Sequence, residues 1–160
     1  MEPRPWLSLP RTARFGDTDG AGVMHFHQLL RWCHEAYEES LERFGIPAAA
    51  IFPTAGRPLA VALPISHCQA DFLAPVHCGE PLRIVLTPRR LDPTAFEVGY
   101  TLHREGSGGE AAETAGVPPL ARALSRHVAI DAASRRRCPL PDPIARWLEA
   151  SGLGRGVQAL

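Results

Sequence analysis

Hydrophobic positions in this chain follow two rhythms, and the switches between them set the architecture. Leu7, Leu9, Ala13 and Phe15 alternate with polar residues, the period of a half-buried strand. Pro10 cannot donate to a ladder, so the run predicts an edge strand or a bulge. From 25 to 44 the period becomes helical. Phe26, Leu29, Leu30, Cys33, Tyr37, Leu41 and Phe44 form one apolar stripe, with Gln28, Arg31, Glu35, Glu38, Glu39 and Glu42 on the opposite side. Arg31 with Glu35, and Glu39 with Arg43, set opposite charges four residues apart. Gly45 followed by Ile46-Pro47 predicts the helix stop.

The period then returns to two. Leu59, Val61, Leu63 and Ile65 alternate in a strand that continues towards Phe72. Leu82, Ile84 and Leu86 predict the next strand, Phe96, Val98, Tyr100 and Leu102 another, and Leu120, Leu124, Val128 and Ile130 a last long one. Residues 106–119 read as a Gly/Ala/Pro loop, and 141–150 as a short terminal helix. The order is that of an α+β fold, a five-stranded antiparallel sheet wrapped around one central helix. The expected organisation is a single domain over 1–160, with its core at about 7–132 and a C-terminal extension at 133–160. One helix covers one face of such a sheet. The other face meets solvent or a partner, and a homodimer is expected, with a homotetramer beyond it.

Composition narrows the chemistry. The chain has 160 residues, 45% hydrophobic and 21% charged, with 17 basic against 17 acidic side chains. Zero net charge gives no general affinity for nucleic acid or an anionic membrane. Every basic residue is Arg, and Asn is also missing. A lysine Schiff base, a P-loop lysine and a Cys-His-Asn arrangement are thereby excluded. Cys33, Cys68, Cys78 and Cys138 form no C-x-x-C pair, and the His67-Cys68 and His77-Cys78 doublets fit no common zinc spacing. No metal site is expected. With no apolar leader at the start and no run approaching a membrane span, the expected location is cytoplasmic.

The candidate chemistry lies in Asp17-Thr18-Asp19-Gly20-Ala21-Gly22, a glycine-loosened loop just ahead of the helix. No Ser, Thr, Asp or Asn stands at the capping position in Val23-Met24-His25-Phe26-His27. The opening N–H groups and the positive end of the helix dipole are then left for a substrate's carbonyl oxygen or, equally, for water. Two carboxylates two residues apart can act as turn formers, or divide roles with one ionised and catalytic. The spacing alone leaves both readings open.

Arg14-Phe15-Gly16-Asp17-Thr18-Asp19-Gly20-Ala21-Gly22-Val23 resembles the signature of the 4-hydroxybenzoyl-CoA thioesterase family, which has the hotdog fold. Cys33-His34-Glu35-Ala36-Tyr37-Glu38, Asp71-Phe72-Leu73-Ala74-Pro75-Val76-His77-Cys78-Gly79, and Leu63-Pro64 with His67, are similar to one branch, the cyanobacterial 1,4-dihydroxy-2-naphthoyl-CoA hydrolases. The resemblance spans about 9–141. It implies an acyl-CoA thioesterase of phylloquinone (vitamin K1) synthesis. It also implies Asp19 as the catalytic carboxylate and the backbone N–H of Phe26 as the donor to the thioester carbonyl. Arg89, Arg90 and Thr94 match positions that face the CoA nucleotide in that family, and Arg135-Arg136-Arg137 is a second basic candidate. His25, where the wider family commonly has an aromatic, either contacts the acyl ring or is solvated. No metal or redox cofactor is implied, since CoA is part of the substrate. Glu35, Glu38 and Glu39 read as a solvated helix face. A thioesterase for 4-hydroxybenzoyl-CoA or a short acyl-CoA, a hotdog dehydratase using His67 or His77, and a non-catalytic acyl-CoA binding module remain open alternatives.

Overall fold

The computed structural model describes residues 6–106 and 116–152. Its elements are β1 (Leu7–Thr12), α1 (Phe26–Arg43), α2 (Ala48–Ile51), β2 (Val61–Ala62), β3 (Ile65–Phe72), β4 (Pro81–Asp92), β5 (Ala95–Arg104), β6 (Ala121–Val128), β7 (Ile130–Asp131) and α3 (Asp142–Gly152). Five strands form one sheet in the order β1-β4-β5-β6-β3, and β2 pairs with β7 in a two-stranded ribbon. Every pairing is antiparallel. This is the expected α+β hotdog arrangement. Of the loop expected at 106–119, residues 107–115 lie outside the described residues.

β1 is an edge strand, as Pro10 requires, and pairs only with β4. It ends at Thr12, so Phe15 is not a strand residue: it opens a 3-10 turn and is 85% exposed. α1 buries Leu29, Trp32, Cys33, Ala36, Tyr37 and Leu41 against the sheet. The stripe differs from expectation at its first turn, where Gln28 is buried and Phe26 is 68% exposed. At the other end Gly45 takes φ +96. Its N–H donates to Glu42 C=O at 2.9 Å and the Ile46 N–H to Leu41 C=O at 2.9 Å, closing a Schellman cap.

The long strand expected from 59 divides into β2 and β3 around Leu63-Pro64, with a register shift between Ile65 and His67. A proline there interrupts donation, and its carbonyl instead accepts the Val128 N–H at 3.1 Å. The last strand likewise divides at Ala129, whose N–H turns to Thr94 C=O at 2.8 Å. Burial does not stop at residue 132. Leu140, Ile144, Trp147 and Leu148 belong to the same core as α1 and the sheet. Trp147 meets Tyr37, Phe96 and Trp6 at ring-centroid distances of 5.6, 5.7 and 5.7 Å, so α3 is a second helix on the α1 side of the sheet.

Candidate active site

The Asp17–Asp19 loop is held by its own backbone. Ala13 exchanges hydrogen bonds with the turn before β4, through Ala13 N–H to Glu80 C=O (3.0 Å) and Gly79 N–H to Ala13 C=O (2.7 Å). An isolated bridge between Thr18 and Met24 then closes a small hairpin whose tip is Asp19-Gly20-Ala21-Gly22-Val23. Gly22 sits at φ +79, in the left-handed region that glycine adopts without a Cβ clash. Val23 bridges to His77, and Met24 N–H donates to Val76 C=O at 2.7 Å. Asp17 C=O accepts the His25 N–H at 2.8 Å, which ties the hairpin to the residue that opens α1.

The two carboxylates are placed differently. Asp17 is partly buried and its Oδ2 accepts the Arg14 N–H at 2.8 Å, steadying the 3-10 turn. Asp19 lies exposed at the hairpin tip. Its Oδ1 accepts the Ala21 N–H at 2.9 Å in an Asx turn, and its Oδ2 has no partner among the described residues.

The helix start corrects one expectation: α1 is capped. His25 stands at the N-cap and its Nδ1 accepts the His27 N–H at 3.4 Å, the job that Ser or Asp more commonly performs. His25 C=O accepts the Gln28 N–H at 3.0 Å. Among the described residues the Phe26 N–H has no acceptor, so the cap leaves the first amide of the helix open. His25 is half-buried, and its ring lies 4.7 Å from that of Phe26.

Next to the hairpin, Glu80 fastens the loop that precedes β4. It accepts from His77 N–H at 3.1 Å and from Arg104 Nε at 3.2 Å, while Arg104 Nη2 donates to Pro75 C=O at 3.2 Å. Burial alone would raise the Glu80 carboxyl, but the His77 N–H and the Arg104 guanidinium outweigh it and hold it below its ordinary value. Cys33 is no nucleophile here. Burial pushes its thiol up to about 12, against a small opposing pull from Arg11.

Arg89, Arg90 and Thr94 lie at the far end of the same sheet. Pro81 pairs with Thr12 beside the hairpin, whereas Arg90 pairs with Phe96 at the other end of β4. At roughly 3.3 Å per residue that is roughly 30 Å along the strand. The three do not converge on one point. Arg89 is paired with buried Glu97, which also accepts from Arg126 at 3.2 Å. Burial by itself would raise Glu97, and the two guanidinium groups reverse that and hold it low. Arg90 lies with Arg146, Asp142 and Glu149 along an open groove of about 470 Å³. Thr94 donates to Asp92 Oδ1 at 2.8 Å and accepts from Arg137 Nη1 at 3.3 Å. One member of the Arg135–137 run therefore meets the first set, a convergence the sequence did not announce.

The helix glutamates are paired: Glu35 with Arg31 and Glu39 with both Arg11 and Arg43 in ion pairs, and Glu38 with His34 Nδ1 in a hydrogen bond of 3.0 Å. His67 and Cys68 are on β3, and His77 and Cys78 in the loop ahead of β4. Among the described residues, no three His, Cys, Asp or Glu side chains gather as a metal site.

Residues 13–148 match the thioesterase-like superfamily, and the chain belongs to that superfamily. A protein of Synechococcus sp. (strain RCC307), named 1,4-dihydroxy-2-naphthoyl-CoA hydrolase, is 60% identical over 138 residues, which is 86% of this chain and 97% of the relative. A Prochlorococcus marinus structure (strain MIT 9313) superposes with TM-score 0.81 at 52% identity, covering 95% of this chain and all 100% of that one. A 1,4-dihydroxy-2-naphthoyl-CoA thioesterase from Synechocystis superposes with TM-score 0.75 at 34% identity, over 88% of this chain and 93% of that one.

Proposed function

We propose that this chain hydrolyses the thioester of 1,4-dihydroxy-2-naphthoyl-CoA, releasing 1,4-dihydroxy-2-naphthoate and CoA in phylloquinone synthesis. The observation that carries the reading is its 60% identity to a cyanobacterial hydrolase named for that substrate, over nearly the whole relative. Mechanistic kinship with the 4-hydroxybenzoyl-CoA thioesterase family in particular belongs to the same proposal and rests on the motif at 14–23.

In this mechanism the thioester oxygen accepts the Phe26 N–H, and the helix dipole favours the negative charge that grows there. Asp19 acts from the hairpin tip. As nucleophile it bonds to the thioester carbon, expels CoA as thiolate and leaves an anhydride that water opens. As general base it takes a proton from water, which attacks directly. Label from oxygen-18 water entering Asp19 in a single turnover separates the two.

The CoA contacts belong to a homodimer in this reading. β3 is the free edge opposite β1, exposed along nearly its whole length, with Ile65 and Phe72 45% and 48% exposed. A twofold pairing of two β3 edges is antiparallel. It sets one chain's Phe72 end, where the Asp19 hairpin lies, beside the partner's Ile65 end. Arg89, Arg90 and Thr94 then serve the partner's site rather than their own, and His25 lies at the acyl ring. Pairing of dimers into a homotetramer completes the proposed assembly. A cytoplasmic location suits the four free cysteines, two of them exposed.

Thiol release from 1,4-dihydroxy-2-naphthoyl-, 4-hydroxybenzoyl- and butyryl-CoA tests the substrate. The proposal expects kcat/KM to be highest for the naphthoyl thioester by at least about tenfold, since a pocket shaped for the larger ring loses contacts with the smaller ones. A preference for either of the others would replace it, and tight binding without thiol release would mark a binding module.

A further inference from the structure

His25 and His27 form a coupled imidazole pair that the mechanism above does not use. Their Nδ1 atoms are hydrogen-bonded to each other, and the rings stand 4.3 Å apart at 64°. The backbone contact favours one tautomer. His25 Nδ1 accepts the His27 N–H, so it is the bare nitrogen of its ring. His27 Nδ1 must then be the N–H that donates to it. The outward corners follow: His25 Nε2 is a donor and His27 Nε2 an acceptor. Phe26, between them in sequence, leaves its ring 68% exposed at 4.7 Å from the His25 ring.

We infer that the His25–His27 pair reads a hydroxyl on the acyl ring, with His25 Nε2–H donating to the hydroxyl ortho to the thioester carbonyl. This rests on the thioesterase reading above. His25 directly precedes the amide that holds the carbonyl oxygen, so a group one ring atom from the thioester falls to its imidazole. The exposed Phe26 ring supplies an apolar surface for the aromatic body. His27 is the positioning residue: its ring bond to His25 Nδ1 adds to the backbone N–H of residue 27 in holding the His25 tautomer, so its loss weakens the outward donor and loss of His25 removes it. The ligand class is thus an ortho-hydroxyaryl thioester, in preference to a plain aryl or alkyl one.

The test compares kcat/KM for 1-hydroxy-2-naphthoyl-CoA and 2-naphthoyl-CoA in the full-length protein, His25→Phe and His27→Phe. Phenylalanine keeps an aromatic ring of similar size and removes the polar corners. The expected result is a wild-type preference of about tenfold or more for the hydroxylated thioester, which collapses towards unity in His25→Phe and falls part of the way in His27→Phe. Equal losses on the two thioesters, or an unchanged preference, overturn the inference and leave the hydrolase reading intact. Thiol release from neither thioester by the wild type overturns both. Should a variant fail to fold, nitrogen-15 imidazole spectra of the wild type decide: His25 protonated at Nε2 supports the pair, and His25 protonated at Nδ1 ends it.

Discussion

His127 shows how the core treats a titratable side chain. It is 1% exposed, stacks on Phe96 at 4.7 Å, and its Nε2 bonds Ser125 Oγ at 2.9 Å, which in turn bonds Tyr100 Oη at 3.1 Å. Burial first, then the nearby His34, lowers its pKa from 6.5 to about 4. The fold therefore holds His127 neutral, while the unfolded chain takes up a proton below about 6.5. Stability falls as pH drops from about 6.5 and levels off near 4, by about 3 kcal/mol in all. The carboxylates held low, Glu80 and Glu97, add their own loss only below their ordinary value of 4.5. Urea unfolding at pH 7 and pH 5 isolates the histidine. The wild type is expected to lose about 2 kcal/mol between them and His127→Gln clearly less. Equal acid sensitivity in the two proteins would refute the assignment. At this scale the sequence disclosed the Asp17-x-Asp19 pair but not the cap at His25. Capping is read from Ser, Thr, Asp and Asn, and an imidazole Nδ1 does the same work unannounced.

Among the elements, α1 was legible because its apolar spacing, its i,i+4 charges and Gly45 all agree. Gln28 was not, since a polar residue on the first turn reads as solvated, yet it is buried. The break at Leu63-Pro64 was written in the proline, yet the alternation of Leu59, Val61, Leu63 and Ile65 runs straight through it. α3 carried a clearer signal: Ile144, Trp147 and Leu148 recur at i, i+3 and i+4, one helical face. All three are buried beside Tyr37 and Phe96, so this helix is structural core rather than appendage. Trp147→Ala is expected to cost about 3–5 kcal/mol, the penalty for emptying a fully buried indole site. Chemical denaturation measures it. A loss below about 1 kcal/mol would mean that α3 docks without contributing to the core.

For the molecule as a whole, the sheet presents two unlike surfaces. The face under α1 and α3 is apolar, and the other carries the row Arg89, Glu97, Arg126 and His67 across β4, β5, β6 and β3. No pattern within one chain states what a second copy adds, so the separation of Asp19 from Arg89, Arg90 and Thr94 emerged only from the strand register. The β3 pairing predicts a dimer in sedimentation at micromolar concentration. It also predicts that Phe72→Asp shifts the protein to monomer and lowers turnover with it. A fully active monomer would remove the shared site.

If the hairpin carboxylate works on a carbonyl held by the Phe26 amide, turnover depends on Asp19. Asp19→Ala, with its circular dichroism and melting temperature matched to wild type, is to be assayed for thiol release from 1,4-dihydroxy-2-naphthoyl-CoA. Its kcat is expected to be lower by about a hundredfold or more. Turnover near the wild-type rate in that folded variant would contradict it.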